Sequence, residues 1–153
     1  IKLSESSEGL ISENENTLIY KVEVNSTEGA VKYTFTSGRL TSAAYAFTKK
    51  FSNENRYIES FVNMDSILQE KYGKSEVDVN WSNSLYQSKK EKYGFAVSIG
   101  HLTLQNSWSN QFTDVVHQLS GNNYKVNHLI FYRSVELKEF EERANKSKVK
   151  SLL

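Results

Sequence analysis

Residues 31–47, VKYTFTSGRLTSAAYAF, carry the reading of the fold. Before Ser37-Gly38 the apolar Val31, Tyr33 and Phe35 alternate with Lys32, Thr34 and Thr36. After it, Leu40, Ala44 and Ala46, or Tyr45 and Phe47, offer two faces. A period of two is strand, and Gly38 can take the positive φ of a tight turn, so two antiparallel strands are expected. Upstream, Leu18, Tyr20, Val22 and Val24 alternate with Ile19, Lys21 and Glu23, and residues 25–29 (NSTEG) read as a turn. Residues 17–47 thus form a three-stranded meander. Downstream, Tyr57, Ile58, Phe61, Met64, Ile67, Leu68 and Tyr72 recur at helical spacing, which predicts a helix over 52–72. Ser52 or Asn53 is its expected cap and Gly73 its stop. Glu54, Glu59, Asp65, Gln69 and Lys71 fall to the polar side, and the apolar stripe needs the meander to lie on.

Further along, Val77, Val79 and Trp81 predict a fourth strand, followed by a polar loop over 82–92. Tyr93, Phe95, Val97 and Ile99 predict a fifth strand ending at Gly100, and Leu102 and Leu104 a sixth running into Trp108. Residues 112–119 and 124–133 flank the turn signal 120–123 and predict a last hairpin. Ser134 caps an expected helix from residue 135 to about 148, with a basic tail after it. The expected architecture is α+β, a curved antiparallel sheet of about seven or eight strands packed on one main helix, plus a C-terminal helix. Residues 1–16 read as a flexible lead-in, 17–134 as a single domain, and 135–153 as helix and tail. The expected core takes Tyr20, Val22, Val31, Tyr33, Phe35 and Leu40 from the meander and Ile58, Phe61, Met64 and Leu68 from the helix. Phe95, Val97, Ile99, Leu102, Leu104, Val116, Leu129 and Phe131 complete it.

The 153 residues suit one domain with its own core. With 19 basic and 18 acidic residues the net charge is +1, so no global field points to nucleic acid, and no nucleic-acid partner is expected. The absence of Cys removes disulfides, thiolate metal sites and cysteine nucleophiles. No apolar run approaches the roughly 18 residues of a membrane span. The start at Ile1 suggests a removed signal segment and an extracellular, periplasmic or cell-envelope location, with the cytoplasm as the alternative. The lack of Pro and the abundance of Asn, Ser, Lys and Tyr suggest a bacterial or phage source.

Several constellations bear on chemistry. On a regular last hairpin His117 and His128 become diagonal neighbours on one face, where two imidazoles can share a metal. Neither shows a carboxylate partner at ligand spacing, and a satisfied half-buried histidine is the plainer reading. Asp114 with Glu136-Leu137-Lys138 resembles the acid and lysine set of a metal-dependent nuclease, but such a site needs its Glu and Lys on a buried strand and this triplet opens a helix, so a solvated helix face is the better reading. No nucleophile elbow, phosphate-binding glycine loop or dinucleotide fingerprint is present. Lys89, Lys90 and Lys92 beside Tyr86 and Tyr93 are a charged loop or a phosphate contact. Trp81 and Trp108 end two strands and serve either the core or, with Tyr86 and Tyr93, a rigid partner-binding surface.

The order Phe35, Gly38, Leu40, then Lys71-Tyr72-Gly73, Trp81, Gly100, Trp108, Thr113, Leu119 and Tyr132 resembles small exported bacterial domains and lipoproteins with a beta-lactamase-inhibitor-like fold. The resemblance spans about residues 17–134, with Ser75 where those domains place a proline. It implies a helix on one face of a curved sheet and a binding or envelope role, and it supplies no catalytic residues. The functional expectation is a non-enzymatic protein-binding module without a cofactor. The alternatives are a metal-dependent hydrolase or nuclease, and an intracellular inhibitor or immunity-type protein of phage or toxin systems.

Overall fold

A computed structural model describes residues 9–152. Its eight strands are β1 (Leu10–Glu13), β2 (Thr17–Val24), β3 (Thr27–Thr36), β4 (Arg39–Phe47), β5 (Glu76–Trp81), β6 (Leu102–Ser109), β7 (Thr113–Asn122) and β8 (Lys125–Ser134). They form one antiparallel sheet in the order β1-β2-β3-β4-β8-β7-β6-β5. Two four-stranded meanders are therefore joined through β4 and β8. Helix α1 (Asn55–Tyr72) carries the chain from central β4 to the far edge at β5 and covers one face of β7 and β8. A short helix α2 (Tyr93–Ser98) packs beside it, and α3 (Val135–Leu152) follows β8. The expected α+β architecture is what forms.

Three hairpins close on two-residue turns with both central residues at positive φ: Asn25-Ser26 (49° and 58°), Ser37-Gly38 (49° and 78°) and Asn123-Tyr124 (50° and 62°). That is the signature of type I′ turns, whose twist matches that of the flanking strands. The last turn thus lies at 123–124 rather than 120–123, and Leu119 pairs with His128 instead of residue 124. The slip from 124 to 128 is four residues, an even number, so no side chain changes face. The faces themselves correct the expected core. Val115, His117, Leu119, His128 and Ile130 point beneath α1, while Val116, Leu129 and Phe131 lie on the opposite face. Leu40 is exposed as well, because the β3–β4 register shifts next to Phe35.

Two other expectations change. The predicted fifth strand is helix α2, because tertiary contacts override its alternating pattern. At its start the Asn55 side chain accepts from the Gly94 N–H at 2.9 Å and donates to the Glu91 carbonyl at 2.8 Å. At its end the His101 N–H reaches the Ala96 carbonyl and the Gly100 N–H reaches that of Val97, with Gly100 at φ 79°. This is a Schellman stop, which needs a left-handed residue at the position Gly100 fills. The Tyr124 N–H, from the hairpin turn, then takes the Ser98 carbonyl at 2.9 Å. Residues 10–13 of the expected lead-in are the edge strand β1, paired with β2, and residues 1–8 lie outside the described residues.

Helix α1 buries Phe61, Met64 and Leu68 in two adjoining clusters, one with Ala96, Val97, Leu102 and Leu119 and one with Trp108, Val115 and Ile130. A third cluster, Leu18, Tyr20 and Val31, belongs to the first meander. Helix α3 is capped by Ser134, whose Oγ accepts from the Leu137 N–H at 3.2 Å. It is tied down by Arg39 stacked over the Phe140 ring and by Arg133 paired with Glu141. Beyond Ala144 every described residue of α3 is exposed. Among the described residues no helix is long and apolar enough to cross a membrane.

Candidate functional site

The polar centre of the molecule lies between α1 and the sheet. Asp65 shares the helix stripe with Phe61, Met64 and Leu68, at the spacings of four, one and three residues that put all four on one face, and it is buried with them. Its Oδ1 accepts from Asn106 Nδ2 at 2.6 Å and faces His117 Nδ1 at 3.4 Å, while Oδ2 accepts from Gln69 Nε2 at 2.6 Å. Asn106 and His117 are directly opposed on β6 and β7, which brings both to the same carboxylate. His117, with 0% of its surface exposed, stacks on Phe61 at 4.1 Å between ring centroids. Its Nε2 lies 2.8 Å from Nε2 of buried His128, which in turn packs against Phe47.

The proton positions follow from chemistry. A carboxylate only accepts, so His117 carries its hydrogen on Nδ1, its Nε2 accepts, and His128 donates from Nε2. Burial lowers His117 to a pKa of about 4 against the opposing pull of Asp65, and burial plus the neighbouring His117 lowers His128 to about 3. Both rings are neutral near pH 7. The result is an Asp65–His117–His128 relay that ties helix to sheet through satisfied buried groups.

The sequence-derived pairing of the histidines on one face is present, but they bond each other rather than flanking a gap. Two nitrogens at about 2.0–2.1 Å from one tetrahedral zinc stand about 3.3 Å apart, wider than this 2.8 Å contact. Among the described residues no group of three His, Cys, Asp or Glu side chains is placed to hold a metal. Asp65 and Asn106 escaped the sequence reading, which sent charge to the solvent side. The available signal was that Asp65 interrupts an apolar stripe.

The aromatic candidates separate. Trp108 is only 6% exposed and donates from Nε1 to the Gly73 carbonyl at 2.8 Å, so it closes the core beside the end of α1. Trp81 and Tyr93 meet edge to face at 5.1 Å, and Tyr86 packs on Phe95 nearby, all three half-buried. Asp114 accepts from Ser109 Oγ, and Glu136 lies in the first turn of α3. The two sheet edges also differ. Strand β1 has four residues and an irregular register, whereas β5 has six in unbroken register with β6 and exposes Val77 (66%) and Val79 (52%).

Compared with protein-family models, curated proteins and solved structures, the chain matches none.

Proposed function

We propose that this chain is a non-enzymatic protein-binding module that takes up an extended segment of a partner along the free edge of β5. The observation that carries this is the edge itself. Sheet edges are normally shortened, bulged or charged against pairing; β1 is short and irregular, whereas β5, although it carries exposed Glu76 and Asp78, keeps six residues in unbroken register with β6 and exposes Val77 and Val79. An added strand gains affinity from the main chain and selectivity from side-chain pockets. Trp81 at the end of β5, exposed Leu85 just beyond it and half-buried Tyr86 and Tyr93 extend the surface with rigid aromatic area. The hydrolase alternative has less support, since the two histidines are spent on each other inside the core, and the nuclease alternative has less because Asp114 is engaged by Ser109 Oγ while Glu136 opens helix α3.

The test is a random-peptide display selection on the whole chain, repeated on Val79→Lys, with amide shifts mapped by NMR. Peptides with alternating apolar residues should bind the parent, shift β5 amides and lose the variant. Peptides that bind both proteins equally, or that shift only amides remote from β5, would defeat the reading.

A further inference from the structure

A second surface lies where the β4–α1 connection, the start of α1 and the β7–β8 hairpin meet. They enclose a cleft of about 410 Å³ lined by Lys49, Lys50, Lys125, Phe47, Tyr57 and Tyr124, with only uncharged side chains completing it. Lys50 and Lys125 are 125 − 50 = 75 residues apart in sequence, so the fold alone gathers these charges. Among the described residues none of the three ammonium groups forms an ion pair, and Lys49 instead lies 5.7 Å over the Phe51 ring. Clustered like charge, here on exposed lysines, repels itself and raises the local concentration of anions.

Tyr124 gives an independent indication. It sits in the hairpin turn at φ 62°, in the left-handed region that disfavours a bulky side chain, where Asn or Gly is the usual choice. The residue is 72% exposed, and its ring lies 6.3 Å from that of Phe95 between centroids. A backbone cost accepted for an exposed ring at the mouth of a cleft points to a ligand that uses the ring.

From this juxtaposition we propose that the cleft binds a phosphate attached to a planar base, with Lys49, Lys50 and Lys125 on the phosphate and Tyr124 stacked against the base. Lysine ammoniums serve as point charges for phosphate oxygens, and an aromatic face accepts any base. The ligand is a free nucleotide or one unit of a single strand, since both offer this chemistry. No residue is shared with the β5 surface, so this site stands or falls without the protein-binding reading.

The experiment is calorimetric titration of the whole chain at about 50 mM salt, where surface charges are little screened. The probes are AMP, adenosine, inorganic phosphate and a single-stranded oligothymidylate of about eight nucleotides. Expected are saturable binding of AMP or the oligomer and weaker binding of adenosine and phosphate. The double variant Lys50→Gln, Lys125→Gln should lose about tenfold or more in affinity. Tyr124→Asn should weaken AMP and leave phosphate unchanged, while Lys146→Gln on α3 should change nothing. AMP binding as tightly as the oligomer assigns a free nucleotide, and an oligomer that binds tighter with a steep salt dependence assigns a strand. Melting curves will show that the exposed substitutions leave the fold intact. The proposal is overturned if neither AMP nor oligomer saturates by about 1 mM. It is equally overturned if the lysine pair can be removed without loss, if Lys146→Gln weakens binding as much, or if phosphate alone binds as tightly as AMP.

Discussion

Asp65 is the residue on which the interior depends, because three side chains aim polar groups at one buried carboxylate. Asp65→Ala leaves Asn106 and His117 with unsatisfied buried donors and should cost about 3 kcal/mol in urea denaturation at pH 7.5. Asp65→Asn, which keeps one acceptor oxygen, should cost less than the alanine variant. A loss below about 1 kcal/mol for Asp65→Ala would mean that the relay contributes little. Trp108→Phe keeps most of the buried ring but removes the hydrogen bond to the carbonyl of exposed Gly73, with an expected cost of about 1 kcal/mol by the same measurement. The shared face of the two histidines was legible in the sequence, because parity along two strands survives any even slip of register. Asp65 and Asn106 were not, since a charged or amide side chain in an alternating or helical pattern reads as solvent-facing until its partners are in place.

At the scale of elements, β8 offers the sharpest contrast. Ile130 is buried under α1 and Phe131, its neighbour, is 39% exposed on the other face. Ile130→Ala should cost about 3 kcal/mol and Phe131→Ala less than half as much, by chemical denaturation; the reverse order would contradict the register. Helix α3 divides near Ala144 into a docked part and an exposed part. Truncation after Ala144 should therefore move the thermal midpoint by no more than about 2 °C, because no described residue past that point is buried. A larger fall would show that the tail packs on the sheet. Helices α1 and α3 were readable from spacing, capping serine and stop glycine. Helix α2 was not, because its six residues alternate like a strand and become helical only through Asn55 at one end and the β7–β8 hairpin at the other.

For the whole molecule, the buried histidines couple stability to pH. Both have folded pKa values below the ordinary 6.5, at about 4 and about 3, so the unfolded chain binds more protons than the folded one as pH falls below 6.5. Stability is therefore full above about pH 6.5 and declines as pH drops towards those folded values. At pH 5 each histidine should have withdrawn about 2 kcal/mol, or about 4 kcal/mol together. Urea denaturation at pH 7.5 and 5.0 reads this directly, and a change below about 1 kcal/mol would show that the two rings do not stay neutral in the fold. The sequence by itself determined the α+β class, most strand positions, the main helix and one close turn, because alternation, helical spacing and turn residues are local properties of the chain. Only the tertiary structure decided which face of β7 and β8 is the inside, that residues 93–98 are a helix, and that Asp65 belongs to the core. Each of those depends on a partner distant in sequence that supplies the missing hydrogen bond or covers the exposed surface.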